Sequence, residues 1–342
     1  MNLEKLVRKN IKNLKPYSCA RDEYKGREAT FLDANENPFE TLYNRYPDPY
    51  HLEIKSKLSK LKDINPENII LGNGSDEIID LLIRSFCEPR EDNMLVFSPG
   101  YGMYEVSAAI NDVEVKKVDL LSNFLPDWDT MWKNINENTK LIFLCTPNNP
   151  TGRAIPLSDI EEVASRFEGL VLVDEAYVDF SQEKSAVSLI ERYPNVVVMQ
   201  TLSKAWGMAG LRLGMCFADT QIINVLAKVK APYNIGSLTQ STVSTLLDNY
   251  DEFKAQCKEL EEQRDYLLEE LPKLGIFKAV YPSDANFILV ISDKAKEIYD
   301  ALAEKKIVVR LRNIPPVISG GIRISVGTKN DNKILLEGLR TL

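Results

Sequence analysis

Residues able to do chemistry fall at the ends of two short hydrophobic runs. The segment TLSKAWGMAGLRLG (201–214) follows the run VVVMQ and places Ser203, Lys204 and Arg212 in a glycine-punctuated loop. The run LVLVD ends at Asp174. Such a lysine could be a plain surface cation. However, adjacent parallel strands end at one edge of a sheet, so Asp174 can face Lys204. A lysine amine can form an imine, and an aspartate can keep the nitrogen of a cofactor ring protonated.

A second pattern indicates an anion site. LGNGSDEIIDLLIRSF (71–86) runs from a predicted strand through a Gly-x-Gly turn into an amphipathic helix. Gly74, Ser75 and Asp76 therefore offer free backbone N–H groups at a helix N-terminus, where anions bind readily. Ser75, Asp76 and Glu77 could equally be ordinary capping and dipole residues, and both roles can hold at once.

Three motifs, TPNNPTG, LVDEAYVDF and SKAWGMAGLR, together resemble the fold type I, or aspartate aminotransferase, superfamily. The resemblance implies pyridoxal 5'-phosphate bound as a Schiff base to Lys204, with Asp174 at the ring nitrogen. It also implies that Asn149 and Tyr177 donate hydrogen bonds to the phenolic oxygen of the cofactor, which favours the charged phenolate. An asparagine–proline turn alone would more often be only a turn.

The same resemblance assigns further residues of the cofactor site. Ser203 and Arg212 are expected to complete the phosphate site, because a planar guanidinium offers paired donors. Tyr101 in SPGYGMY matches the aromatic residue that stacks on the cofactor ring, although packing alone would also explain it. Tyr46 in NRYPDPY matches a tyrosine that reaches the cofactor phosphate of the neighbouring subunit. This match implies a homodimer with active sites across its interface.

The hydrophobic pattern predicts the elements that position these residues. From Pro66 onward, short β-rich runs such as LIFLC, LVLVD and VVVMQ alternate with helical patterns. This is typical of an α/β domain with a mainly parallel sheet buried on both faces, and the resemblance implies seven strands. A charged helix is predicted over 248–272. Three strands (NFILVI, KIVVRLR and IRISVG) and a closing helix follow, the pattern of a smaller α+β domain.

These patterns divide the chain into three parts. Residues 1–34 form an N-terminal arm that is predicted to pack on the small domain. Residues 35–245 form the large, cofactor-binding domain, and residues 246–342 form the small C-terminal domain.

Further motifs narrow the resemblance to the histidinol-phosphate aminotransferases. They run along nearly the whole chain and include LKPYSCAR, DANENPF, NGSDEIIDLLIRSFCEP, YGMYEVSA, VKAPYNI and GGIRISVGT. That family transfers the amino group of L-histidinol phosphate to 2-oxoglutarate, giving imidazole acetol phosphate and glutamate, in histidine biosynthesis. The resemblance therefore implies an anion site that accepts a phosphate ester in one half-reaction and a dicarboxylate in the other.

The substrate residues implied by this resemblance lie in the arm and the small domain. Arg323 matches the family's substrate-anion arginine, while Arg310, thirteen residues earlier, and Tyr17 match the remaining contacts. Asn149 is expected to reach the substrate as well. The alternative for Arg310 is a solvated strand arginine, and Arg312 is interpreted as such a residue on the opposite face of the strand.

Composition excludes several other classes of protein. A net charge of -8 argues against nucleic-acid binding, which requires basic patches. No apolar run is long enough for a membrane helix, and the charged N-terminus does not resemble a signal peptide, so we expect a cytoplasmic protein. Five scattered cysteines indicate reduced, mostly buried thiols. His51 is the single histidine, so no metal site is expected.

Alternatives remain in two classes. Within the enzymes, an aromatic or broad-specificity amino-acid aminotransferase, or a decarboxylase acting on threonine phosphate, would use the same scaffold. The second class is a non-enzymatic interaction or regulatory protein that keeps the fold. The intact set of predicted cofactor residues, Lys204 and Asp174 above all, argues against it.

Overall fold

The computed structural model describes residues 2–17 and 30–342, and these contain two β-sheets. The larger sheet has the strand order β1-β7-β6-β5-β4-β2-β3. Strand β7 is antiparallel to both neighbours, and the other neighbouring strands are parallel. The predicted seven-stranded, mainly parallel sheet is therefore confirmed. Its strands are β1 (Ile69–Asn73), β2 (Asn93–Ser98), β3 (Glu114–Asp119), β4 (Thr139–Cys145), β5 (Leu170–Asp174), β6 (Val196–Thr201) and β7 (Leu213–Ala218).

Helices cover both faces of the large sheet, which explains its unbroken hydrophobic runs. Numbered through the described residues, the helices are α1 (Leu3–Leu6), α2 (Lys9–Lys12), α3 (Leu52–Lys62), α4 (Ser75–Phe86), α5 (Met103–Ile110), α6 (Trp128–Asn134), α7 (Leu157–Arg166), α8 (Thr220–Val229), α9 (Ser237–Leu246), α10 (Tyr250–Glu270), α11 (Ala295–Glu304) and α12 (Lys329–Leu339). Val171 and Val173 of β5 share a core with α3 and α7. Leu170 and Leu172 share the opposite core with α4, α5 and α8.

The first two helices pack on the large domain. Leu6, Val7 and Ile11 are buried in the same core as α4 and α8, and the backbone N–H of Arg8 donates to the oxygen of Ser85 at 3.0 Å. The prediction that the arm packs on the small domain is therefore wrong for these residues, because their apolar stripe is buried against the large domain instead. Residues 18–29, which include Cys19, lie outside the described residues.

The smaller sheet is antiparallel throughout, with the order β10-β11-β9-β8. Its strands are β8 (Ala279–Val280), β9 (Phe287–Ile291), β10 (Arg310–Ile314) and β11 (Ile318–Ser325). The sequence predicted three of these strands and did not predict the two-residue β8. On one face, Val290 and Ile322 form a core with α10, α11 and α12. On the other, Phe287 and Leu289 join the core of the large domain.

Helix α10 connects the two domains, and its 21 residues confirm the helix predicted over 248–272. Phe253 near its start belongs to the large-domain core, and Leu267 near its end belongs to the small-domain core. Trp206, from the loop after β6, stacks on Phe253 with 3.8 Å between ring centroids. Although α10 is long, its sequence is charged, and no helix within residues 2–17 and 30–342 is apolar and long enough to cross a membrane.

Gly214 in β7 makes a close backbone contact that positions the turn between β1 and α4. A Cβ at this position would lie 2.4 Å from the backbone nitrogen of Ser75 and 2.5 Å from the carbonyl carbon of Gly74. We therefore expect Gly214→Ala to lower the free energy of unfolding by about 1–3 kcal/mol, measured by urea denaturation. Gly210→Ala is the matched control, because nothing lies within 4 Å of its added carbon. Equal losses in the two variants would contradict this account.

Candidate active site

A cavity of about 390 Å³ lies between the carboxyl ends of β4, β5 and β6 and the small sheet. It brings together most of the side chains predicted from the sequence, namely Ser75, Asp76, Tyr101, Asn149, Asp174, Tyr177, Ser203, Lys204, Arg212, Arg310 and Arg323. Four further residues complete its lining: Cys145, Ala176, Thr201 and Arg312. Three of these follow from the strands, since Cys145 and Thr201 end β4 and β6 and Ala176 lies two residues beyond the end of β5.

Asp174 is the most deeply buried charged residue of this cavity, with 3% of its surface exposed. The hydroxyl of Tyr104 donates to Oδ2 at 2.5 Å, and the backbone N–H of Ala176 donates to Oδ1 at 3.1 Å. Burial raises the pKa of Asp174 to about 6, although both hydrogen bonds act in the opposite direction. A carboxylate held this way is stabilised by a positively charged partner from the cavity.

Lys204 lies in the loop that follows β6. Its Nζ is 5.7 Å from the ring centroid of Tyr177. Partial burial lowers the pKa of the Lys204 amine, Arg323 lowers it further, and Asp174 opposes both effects. The amine is therefore more often neutral than that of a surface lysine, and a neutral amine can act as a nucleophile or a base.

The turn between β1 and α4, here called the cradle, is where the sequence predicts an anion site. Gly74 has a φ of 76°, and its N–H donates to the backbone oxygen of Arg212 at 2.9 Å, so the prediction that this N–H is free is wrong. A Cβ on Gly74 would lie 2.6 Å from Nη2 of Arg212 and would displace this guanidinium from its position. The N-terminus of α4 begins at Ser75 in the same place. From the other side of the cradle, Ser203 Oγ lies 3.0 Å from the hydroxyl of Thr201.

Asn149 and Tyr177 lie where the large domain meets the small sheet. Nη1 of Arg323 donates to Oδ1 of Asn149 at 2.6 Å, which leaves the amide N–H₂ of Asn149 as the available donor. Tyr177 packs edge-on against Phe287, with 5.1 Å between ring centroids. Burial is the main cause that raises the pKa of the Tyr177 hydroxyl, so it stays protonated and can donate a hydrogen bond.

Three arginines of the small sheet line the cavity. Arg310 of β10 is the direct partner of Arg323 of β11, and Arg312 is the partner of Gly321. Side chains two residues apart on a strand point to the same face. Arg312 therefore shares the face of Arg310, and the interpretation of Arg312 as a solvated residue on the opposite face is wrong.

Two predicted residues lie outside the cavity of their own chain. Tyr46, half exposed, stacks on Tyr233 with 4.5 Å between ring centroids. Tyr17 is 73% exposed and borders a separate pocket with His51 and Lys230. Their proposed contacts, with the partner subunit's phosphate for Tyr46 and with the substrate for Tyr17, stay predictions.

Comparison with known proteins identifies the family of this chain. The family model described as "Aminotransferase class I and II" matches residues 32–339. The histidinol-phosphate aminotransferase of Cytophaga hutchinsonii is 49% identical over 99% of both chains. That of Bacteroides thetaiotaomicron is 50% identical over 99% of this chain and 98% of its own length. This chain belongs to the histidinol-phosphate aminotransferases, within the class I and II aminotransferases.

Solved structures confirm the fold type I architecture of this aminotransferase. The histidinol-phosphate aminotransferase of Clostridium acetobutylicum superposes with a TM-score of 0.79 at 23% identity, covering 87% of this chain and 90% of the other. The enzyme of Sinorhizobium meliloti, solved in complex with pyridoxal-5'-phosphate, gives a TM-score of 0.80 at 24% identity, with 87% and 83% covered. Pyridoxal phosphate is the cofactor of the family.

Tyr104 is a further residue of this aminotransferase that sequence reasoning missed. It is 2% exposed, and its ring packs edge-on against Tyr101 at 5.6 Å between centroids. Its partner Asp174 is seventy residues away in the chain, so no local pattern marks the pair. The only available signal is the spacing of three residues between Tyr101, which precedes α5, and Tyr104 in its first turn.

The raised pKa of Asp174 predicts how the stability of the cofactor-free aminotransferase depends on pH. This pKa is about 6 in the folded chain. Since it is about 3.9 in an unfolded chain, the free energy of unfolding should fall as the pH rises from about 4 to about 6. The free energy of unfolding of the wild type should fall by roughly 3 kcal/mol over this range, and Asp174→Asn should not show this fall. Urea denaturation of both proteins at several pH values measures the difference.

Tyr104→Phe provides the companion test. The Tyr104 hydrogen bond lowers the pKa of Asp174 in the folded chain, so its removal should extend the pH range of lost stability to higher pH, while the lower end of the range, set by the unfolded chain, stays the same. If the wild type and Asp174→Asn change in parallel with pH, the assigned role of the buried carboxyl is wrong.

Proposed function

We propose that this protein transfers the amino group of L-histidinol phosphate to 2-oxoglutarate, with pyridoxal phosphate covalently attached to Lys204. One observation above all supports the proposal: a lysine, a buried aspartate and three arginines of the small sheet line a single cavity. The lysine and aspartate suit the cofactor, and the arginines suit an anionic substrate. The products would be imidazole acetol phosphate and glutamate, in histidine biosynthesis in the cytoplasm.

The residues present fit pyridoxal phosphate. Asp174 presents a desolvated carboxylate that a protonated ring nitrogen would stabilise. The N-terminus of α4, with Ser203 and Arg212, would hold the phosphate, and Tyr101 would lie against the ring. When bound, the cofactor draws electrons away from the substrate Cα and so makes the Cα proton acidic.

Lys204 is the proposed base that removes this proton. Its lowered pKa leaves more of the amine neutral than in a surface lysine, and a neutral amine can accept a proton. Histidine is the usual residue for such a step, but His51, the only one in the chain, is buried beside a different pocket. Asn149 and Tyr177 would donate to the cofactor's phenolic oxygen from the large domain.

Arg323 and Arg310 are the proposed contacts for the substrate anion, either the phosphate ester or the distal carboxylate of 2-oxoglutarate. Arg323 is partly buried, and this burial lowers the pKa of its guanidinium. An anion would compensate the cost of this burial, whereas the ring of phenylalanine would not. This difference favours histidinol phosphate over the aromatic aminotransferase alternative.

Turnover tests the proposal directly. Wild-type protein should show a kcat/KM for histidinol phosphate at least about 100-fold above that for phenylalanine, because unpaired guanidiniums penalise the apolar ring. Lys204→Ala should lower turnover by about 100- to 10,000-fold, since the base is lost. Coupled assays of glutamate formation, with 2-oxoglutarate as acceptor, measure both.

The control for the lysine is Lys333→Ala, which removes the same charge from the exposed face of α12 and should leave turnover unchanged. Normal turnover of Lys204→Ala would overturn the assignment of the base. A preference for phenylalanine would replace the proposed substrate by an aromatic amino acid.

A homodimer is the proposed assembly, with Tyr46 reaching the cofactor phosphate of the partner subunit. Its support is a segment of large exposed apolar side chains that precedes α3. Leu32 is 88% exposed, Phe39 77% and Leu42 80%. Several large apolar side chains exposed within one short segment are typical of a protein interface.

Leu42→Asp should therefore weaken the dimer and reduce turnover. Leu42 has a φ of 68°, a conformation that aspartate tolerates, so the effect would come from the charge rather than the backbone. Light scattering after size exclusion would measure the mass. Ile110→Asp, at an apolar residue that is 74% exposed on α5, is the control and should stay dimeric. A wild-type monomer with full activity would contradict the proposed assembly.

A further inference from the structure

Arg312 is a cation of the cavity to which no role has been assigned. It lies two residues after Arg310 on β10 and so points to the same face, beside Arg323 of β11. The residue opposite Arg312 is Gly321, which has no side chain to occupy that face. In the described part of the chain, none of these three arginines forms an ion pair with a carboxylate within 4 Å.

The guanidinium of Arg312 has a hydrogen-bond donor that the surrounding described residues do not satisfy. Its Nε is buried and has no hydrogen-bond partner within the described residues. Burial lowers the pKa of Arg312, and the like charges of Arg323 and Arg310 lower it further. Buried donors and like charges in contact are unfavourable unless a ligand of opposite charge satisfies them. The position therefore points to an anion that enters the cavity.

We propose that Arg312 is the third arginine of the substrate-anion site and that it favours a phosphate monoester over a carboxylate. The inference rests on the proposed function, which places the substrate anion at Arg310 and Arg323. Arg312 would be a specificity residue in this reaction, since it contacts the part of the substrate that is distant from the reacting carbon.

A third arginine should stabilise a bound phosphate monoester more than a bound carboxylate, because the two ligands differ in charge. A phosphate monoester carries about -1.5 to -2 charges near neutral pH and has three terminal oxygens. A carboxylate carries one charge and two oxygens, which one or two guanidiniums can satisfy. Because Coulomb energy scales with the product of the charges, each cation is worth about twice as much to the dianion. Loss of Arg312 should therefore affect the phosphate ester more than the dicarboxylate.

Arg312→Gln tests this inference in the two half-reactions of the holoenzyme. Rapid-mixing measurements of the cofactor absorbance would give kcat/KM for histidinol phosphate and, separately, for glutamate. The value for histidinol phosphate should fall by about 10- to 100-fold, as expected for one lost charged hydrogen-bonding group. The value for glutamate should fall much less, so that the ratio of the two changes by at least about tenfold.

Two further variants control the result. Arg312→Lys keeps the charge and should recover part of the preference, which a purely structural role would not predict. Arg340→Gln removes an exposed arginine from α12's C-terminal end, where it pairs with Glu270 at 3.3 Å, and should leave the ratio unchanged. A normal cofactor absorbance band in each variant shows that the protein is folded and loaded.

Inhibition by inorganic phosphate separates this inference from the proposed function. Phosphate should compete with glutamate, and its inhibition constant should rise by about tenfold or more in Arg312→Gln. If the wild type does not turn over histidinol phosphate but Arg312→Gln still raises the inhibition constant of phosphate, the proposed substrate is wrong and the role of Arg312 stands. If both half-reactions fall equally, or neither falls, and phosphate inhibition is unchanged, the inference is overturned.

Discussion

The carboxylate of Asp174 lies at the end of β5, the central strand of the large sheet, with one O–H and one N–H as its hydrogen-bond partners. A charge in this position is costly to desolvate, so the surrounding elements must be firmly held. Backbone hydrogen bonds join the end of β5 to the elements on both sides of it. The backbone N–H of Thr146 donates to the oxygen of Asp174, and the N–H of Glu175 donates to Met199 of β6. The strand ends that carry Asn149 and Lys204 are thereby fixed around one acidic group.

The small sheet packs on the large domain with one of its faces, and α10, α11 and α12 cover the other face. The side chains on the face toward the large domain are of two kinds, apolar residues and arginines. Phe287 and Leu289 join the large-domain core and hold the sheet in place. The arginines of β10 and β11 lie on the same face but at the cavity. The strand period of two residues thus places the cations and their apolar anchors on one surface.

The sequence predicted the features that depend on hydrophobic runs and on strand ends. Asp174 and Lys204 could be placed together because parallel strands end at a common edge. Tyr104 could not, because its partner is brought near only by the packing of α5 against the sheet. Arg312 could have been assigned correctly, since the strand period alone puts it on the face of Arg310. The arm was misplaced because an apolar stripe does not specify which of two domains buries it.

The bond between Arg323 and Asn149 joins the small sheet to the large domain at the boundary of the two binding sites proposed above. In the proposed function, an anion that engages Arg323 would compete with the amide oxygen of Asn149 for the same donor. The amide N–H₂ of Asn149 would donate on the cofactor side, so its electron distribution and its freedom to rotate would depend on what Arg323 binds. Occupancy at one end would therefore be thermodynamically linked to hydrogen bonding at the other, and this linkage would be reciprocal. In this way the amide would couple recognition of the substrate anion to the electronic state of the cofactor.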